Sequence, residues 1–250
     1  MKLKRQRSSG YSKSVRSCSY SDLDLPDDCW EHVFRFLNED SDLEDDNCRY
    51  YLKSLSLVSK HLLSITNRHK FFLRICHPTL PFLPRLFRRF TNLTSLDFSH
   101  FYGDLNNLLI QISSLKLNYF TSLNLSNQST IPAIGLRAFS SSSSSSTITT
   151  LTCSNIGFID TTHDLKLIAD CFPFLEQLDL SNPRGFQVEE EALLVVLALF
   201  KLLCKVDLSH HCYVNDEFIF QLFTNCKFLK EAILIDFIAL PTTVLLLLSI

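Results

Sequence analysis

LTSLDFS at 93–99, FTSLNLS at 120–126, ITTLTCS at 148–154, LEQLDLS at 175–181, LCKVDLS at 203–209 and LKEAILI at 229–235 share one pattern. Their central apolar residues are Leu96, Leu123, Leu151, Leu178, Val206 and Ala232, separated by 27, 28, 27, 28 and 26 residues. One L-x-x-L-x-L segment arises by chance, whereas six at a constant spacing mark a repeat architecture in which each unit stacks on its neighbours. The L-x-L portion of each unit reads as a strand. The intervening residues read as a helix at 106–112, 164–171, 189–200 and 217–225. A helix between successive strands favours parallel pairing with a right-handed crossover. Such solenoids mostly bind other macromolecules along an extended surface.

Composition narrows the function classes. The net charge of −2 supplies no global basic field for nucleic acid. Nine cysteines behind a basic, Ser-rich start with no signal-peptide pattern point to reduced thiols in the cytoplasm, the nucleus or both. Residues 1–21 form a polar leader in which Lys2, Lys4, Arg5 and Arg7 cluster; a disordered tail and a weak nuclear-localisation signal are its two readings. Ser140–Ser146 cannot pack a core and read as a surface loop.

Residues 22–67 read as a small helical module. Leu25-Pro26-Asp27-Asp28 opens a helix with acidic residues at its positive end, and Trp30, Val33, Phe34 and Leu37 recur at helical spacing. The acidic run at 38–47 reads as a solvated loop, and Leu52, Leu55, Val58, Leu62 and Ile65 resume the helical period. Pro78, Pro81 and Pro84 then interrupt the chain, so 68–90 is expected to be a linker or first helical cap and 91–250 the solenoid. The apolar stretch from Ala232 to Ile250 is expected to be a further repeat cut off after its helix begins. A tail anchor is the sharper alternative, although Val244–Leu248 is far short of the ~20 residues a spanning helix needs.

Two resemblances follow from these residues. The repeats resemble leucine-rich repeats, and from Val206 to Leu234 the cysteine-containing kind, through Cys212, Asn215-Asp216 and Cys226, with Cys171 in the second cysteine role two repeats earlier. The N-terminal segment resembles an F-box through Leu25-Pro26, Trp30, Val33-Phe34, Leu37, Leu55, Val58-Ser59-Lys60 and Leu63. Ser59 stands where the pattern has Cys, Leu62 where a Trp is common, and the acidic loop is longer than usual. The order of the two modules is that of plant-like F-box/leucine-rich-repeat proteins. The implied fold is an α/β leucine-rich-repeat solenoid, a curved parallel sheet with outer helices, preceded by an all-helical F-box module.

The resemblance implies a non-catalytic substrate receptor of an SCF-type cullin ubiquitin ligase. Leu25, Pro26, Trp30, Val33, Phe34, Leu37, Val58, Lys60 and Leu63 would contact a Skp-type adaptor and, through it, the cullin. The repeats would hold an unidentified target protein, and no nucleic-acid or membrane partner and no cofactor are expected. The alternative is a leucine-rich-repeat interaction scaffold with a degenerate F-box and no ligase role. For the target, the polar column Asp97, Asn124, Thr152, Asp179 and Asp207 suits a basic segment or is simply a solvated face. Ser99, Ser126, Ser154, Ser181 and Ser209 are expected to form the next column on the same face.

No phosphate-binding loop, nucleophile elbow or zincin motif is present. His210, His211 and Cys212 beside Cys204 can be drawn as a zinc set, but the repeat register explains Cys212 as a turn residue. Cys76-His77 lacks a third orienting group for thiol catalysis. No enzymatic activity and no metal are expected.

Overall fold

The computed structural model describes residues 25–26, 28–30, 32–33, 54–68, 70–115, 120–141, 147–184, 186–187, 190–211, 215–235 and 244–247. The chain divides into two compact units, Met1–Ile65 and Thr66–Ile250. The boundary falls inside helix α1, Lys60–Arg68.

In the second unit the repeat spacing becomes a strand ladder. Strands β1 (Phe72–Arg74), β2 (Ser95–Asp97), β3 (Ser122–Asn124), β4 (Thr150–Thr152), β6 (Gln177–Asp179), β8 (Lys205–Asp207) and β9 (Glu231–Leu234) pair in parallel in that order. The register aligns Leu73, Leu96, Leu123, Leu151, Leu178, Val206 and Ala232, all buried. The six sequence anchors therefore occupy one row. The sheet begins one strand earlier than expected, because Phe72–Arg74 pairs with β2 although it lies in the stretch read as a linker. A short parallel ladder, β5 (Ile159–Asp160) with β7 (Phe186–Gln187), and a bridge from Thr130 to Phe158 join the loops that leave the main strands.

Helices α2 (Leu83–Arg89), α3 (Leu105–Ser113), α4 (Ala133–Ser141), α5 (Thr161–Cys171), α6 (Glu190–Leu197) and α7 (Asp216–Asn225) complete the turns. From α3 to α7 each helix packs on the next. Side-chain caps start three of them: Asp104 accepts the Asn107 N–H (3.1 Å), Asp160 that of His163 (3.0 Å) and Asn215 that of Phe218 (2.8 Å). The core lies between sheet and helices. Leu105, Leu108, Leu109 and Ile112 of α3 pack with the strand anchors, and Phe120 meets Phe87 and Phe139 at ring separations of 6.4 and 6.2 Å. These ring contacts pass from turn to turn and give some of the chain's 21 Phe residues a place in the core.

The end of the chain corrects an expectation. In place of a further repeat entering its helix, Val244–Leu247 forms strand β10, antiparallel to β9, with Val244 opposite Leu234 and Leu247 opposite Glu231. The apolar run thus pairs along the last parallel strand. Among the described residues no helix is long and apolar enough to cross a membrane. The serine run is divided: Ser140 and Ser141 end α4, both bonding the Arg137 carbonyl, and 142–146 lie outside the described residues.

Candidate functional site

The N-terminal unit sorts its apolar residues into two sets. The Pro26 carbonyl accepts the N–H groups of Cys29 (2.9 Å) and Trp30 (3.2 Å), so the helical residues 28–30 follow directly on Leu-Pro, and 32–33 are helical as well. A helical turn at 54–56 ends with Leu57 and Val58 bonded back to Ser54 and Leu55. Ser59 then caps α1, its Oγ accepting the Leu62 N–H at 3.1 Å and its carbonyl the Leu63 N–H at 2.9 Å. Serine at this position thus has a structural use of its own.

Leu62 and Ile65 are buried, and Trp30 and Leu55 pack against them. Leu25 (45% exposed), Val33 (40%), Leu57 (80%) and Val58 (69%) instead face solvent, with Pro26 and Lys60 also exposed and Leu63 half-buried. Of the expected adaptor contacts, Leu25, Pro26, Val33, Val58 and Lys60 are available, while Trp30 contributes to the module's own core. Phe34, Leu37 and the acidic loop at 38–47 lie outside the described residues. Leu57 was missed by sequence reasoning because it falls off the helical period; its apolar side chain next to Val58 is the signal that could have found it.

In the solenoid, the expected target column lies in one register row: Asp97, Asn124, Thr152, Asp179, Asp207. Four of the five are turned toward their own backbone. Oδ1 of Asp97, Asn124, Asp179 and Asp207 accepts the N–H of Ser99 (2.9 Å), Ser126 (2.9 Å), Ser181 (2.8 Å) and Ser209 (2.9 Å). Each acceptor closes a small side-chain turn that bends the chain out of its strand. Asp97 goes further. It is buried, and its second oxygen takes a 2.6 Å bond from Arg74 Nε. Asn124, Thr152, Asp179 and Asp207 remain partly exposed. Burial pushes the Asp179 carboxyl up, the Ser181 hydrogen bonds oppose this, and the neighbouring Asp207 charge adds to the rise.

The serine column corrects a second expectation. Ser99, Ser126 and Ser209 are buried, and the column follows the strands rather than sharing their open face. Ser181 Oγ bonds Ser154 Oγ at 3.0 Å, and Ser209 Oγ donates to Asp207 at 2.7 Å while accepting the Ile235 N–H at 3.2 Å. These hydroxyls serve the stacking of turns. So do Asn127, Asn155, Asn182 and His210, which hold positive φ of 64°, 57°, 55° and 66° just after the serines.

Among the described residues no cluster of three metal-ligating side chains exists. His211 is buried against the Leu180 carbonyl, the Cys204 thiol contacts the Leu202 carbonyl at 3.3 Å, and Cys212 lies outside the described residues. Cys76 is tied through its backbone to Thr79, and the His77 ring stands 5.3 Å from that of Phe101.

No protein-family model matches the chain. Among solved structures it is similar to the leucine-rich-repeat-containing protein LegL7 of Legionella pneumophila, at 20% identity and a TM-score of 0.47. The match covers 73% of this chain and 62% of that one, so the chain spans less than two thirds of the other's length.

Proposed function

We propose that the chain is a non-catalytic interaction protein whose repeats hold a target protein and whose N-terminal module docks on a Skp-type adaptor of a cullin ubiquitin ligase. One observation carries the adaptor half. Leu25, Val33, Leu57 and Val58 are left exposed by a module whose core is made by Trp30, Leu55, Leu62 and Ile65. Four exposed apolar residues on so small a module suit a partner surface. The matching residues of the F-box pattern name the partner class, and the stacked turns supply a surface for the target. Ubiquitin transfer would then follow from proximity, a target lysine being held at high effective concentration near the conjugating enzyme.

The second reading is a repeat scaffold with no ligase role. Trp30 and Ser59 favour it, since the first packs inward and the second caps a helix where the pattern has Cys.

Co-purification of the full chain with a Skp-type adaptor tests the proposal, beside the pair Leu25→Asp and Val58→Asp. Both positions are exposed, so the variant is expected to keep the parent's circular dichroism. Adaptor held by the parent and lost by the variant supports the receptor reading. A folded parent that binds no adaptor leaves the scaffold.

A further inference from the structure

The chain makes the same tight turn three times on its way into β6, β8 and β9. Leu175 donates its N–H to the Phe172 carbonyl (3.1 Å), Leu203 to that of Phe200 (3.2 Å) and Leu229 to that of Cys226 (3.0 Å). The tips of these turns are Pro173-Phe174, Lys201-Leu202 and Lys227-Phe228. Phe174 is 49% exposed, Leu202 37% and Phe228 59%, and Pro173, Lys201 and Lys227 are exposed as well. Turn tips ordinarily carry Gly, Asn, Asp or Ser. The corresponding place before β2 keeps to polar residues, Thr91-Asn92. Large apolar side chains are therefore not something the repeat itself demands here.

The three tips form a row. Gln177, Lys205 and Glu231 stand opposite one another in the ladder, and Phe174, Leu202 and Phe228 each precede that position by three residues. Neighbouring tips are thus about one strand spacing apart, ~4.8 Å. An apolar row Phe174–Leu202–Phe228 runs beside Pro173–Lys201–Lys227.

We propose that this row is a peripheral contact for an anionic lipid surface. The apolar tips enter the headgroup boundary, and the lysines meet the lipid anions with their alkyl stems lying along the apolar row. Area argues against a protein partner on this row alone: three side chains fall far short of the roughly 800 Å² per partner of a standard protein interface. Insertion into a lipid interface needs no matching pocket, because apolar transfer is non-directional. Charge argues for an anionic surface. Lys201, Lys227 and the exposed Lys230 flank the tips, and Glu231 is engaged by Lys205 at 2.8 Å, which leaves Glu176 as the opposing carboxylate nearest in sequence. The proposal departs from the expectation of no membrane partner. It shares no residue with the adaptor surface, so either can fail without the other.

The test is co-sedimentation of the full chain with vesicles of phosphatidylcholine plus phosphatidylserine, and with phosphatidylcholine alone. Two variants accompany it: Phe174→Ser with Leu202→Ser and Phe228→Ser, and Lys201→Glu with Lys227→Glu. The expected result is binding to the anionic vesicles that weakens about tenfold or more in each variant, with little retention on the neutral ones. A folded parent that ignores anionic vesicles overturns the proposal. So does a folded apolar variant that binds as tightly as the parent, because the basic leader would then explain the attachment. Should the apolar variant fail to fold, the lysine variant decides on the same criterion. Sedimentation velocity covers the other occupant: a dimer abolished by the variants, without vesicle binding, assigns the row to a second copy of the chain.

Discussion

The imidazole Nε2 of His211 lies 2.8 Å from the main-chain oxygen of Leu180, one turn of the solenoid away. A carbonyl oxygen only accepts, so Nε2 carries the proton. Gln128 makes the same link earlier in the stack, donating its amide to the carbonyls of Phe98 (2.9 Å) and Phe101 (3.0 Å). Phe98 and Leu180 each stand two residues after a strand anchor, and Gln128 and His211 each stand five after the next one. Ile156 and Pro183 occupy that last position in the turns between. Two buried polar side chains therefore bridge consecutive turns by one geometric rule.

This bridge makes stability depend on pH. Burial holds the His211 imidazole down to about 4 from an ordinary 6.5; the Leu180 bond and the Asp207 charge oppose the shift, and the His210 charge adds to it. The unfolded chain takes up the proton near pH 6.5 and the folded chain only near 4, so stability falls as pH drops through that window and levels off below it. At pH 5 the loss from this group is about 2 kcal/mol. Urea unfolding at pH 7 and pH 5 should show it, and His211→Gln, with the donor that Gln128 already uses, should flatten the dependence. An equal drop in the variant would sink the assignment.

Asp97 is the polar residue in the target column whose loss should cost most. Burial alone would raise its carboxyl, but the hydrogen bonds from Ser99 and Arg74 outweigh burial and hold it below the usual value. Asp97→Ala removes the Ser99 turn and the Arg74 bond together. Arg74 is one-third exposed and can turn to water, so the expected loss is about 2 kcal/mol rather than the 3–5 typical of a fully buried pair. Asp97→Asn keeps the turn, as Asn124 does one repeat later, and should cost about half as much. Equal losses in the two variants, measured by denaturant unfolding at pH 7, would contradict this division.

The ladder was legible because Leu96, Leu123, Leu151 and Leu178 return at a spacing that one strand per turn satisfies. Leu73 was not, since Phe72–Arg74 has no L-x-x-L lead and precedes three prolines; its place rests on main-chain bonds to β2. Val244–Leu247 is continuously apolar, and such a run does not separate strand from helix by period. At the candidate surfaces, polarity was legible but direction was not. An Asp two residues before a Ser reads equally as a solvent-facing charge or as the acceptor of its own turn, and the backbone geometry decides for the turn. The helical period likewise placed Trp30 and Val33 on one face without separating the side chain that packs on Leu62 from the one that faces water.

At Gly135, α4 lies close against the backbone of α3. Its N–H donates to Asn106 Oδ1 at 2.8 Å, and a Cβ there would lie 2.9 Å from Asn106 Cα and 3.0 Å from both the Asn106 carbonyl oxygen and Leu109 Cβ. Helix propensity alone favours alanine by about 1 kcal/mol. The overlap is mostly with backbone, which cannot swing aside as a flexible side chain can, and overpacking of this kind costs roughly 1–3 kcal/mol. Gly135→Ala should therefore lower the unfolding midpoint; a midpoint above the parent's would mean that the two helices separate freely.

Asn182 tests the left-handed corner that follows β3, β4, β6 and β8. Its φ is 55°, and its N–H donates to the Ser209 carbonyl at 2.9 Å, so this corner joins two turns through backbone alone. Asparagine tolerates that conformation better than most residues, and glycine adopts it without a Cβ penalty. Asn182→Ala should lose about 1 kcal/mol, because alanine keeps the Cβ that the left-handed region disfavours and lacks the short amide whose local hydrogen bonding offsets it, while the backbone bonds of the corner are retained. Asn182→Gly should stay within about 0.5 kcal/mol of the parent, the relief at the corner offsetting the larger entropy of the unfolded chain. Denaturant unfolding of the two variants separates the backbone argument from a side-chain one: equal losses would show that Asn182 is held by contacts of its amide rather than by its φ.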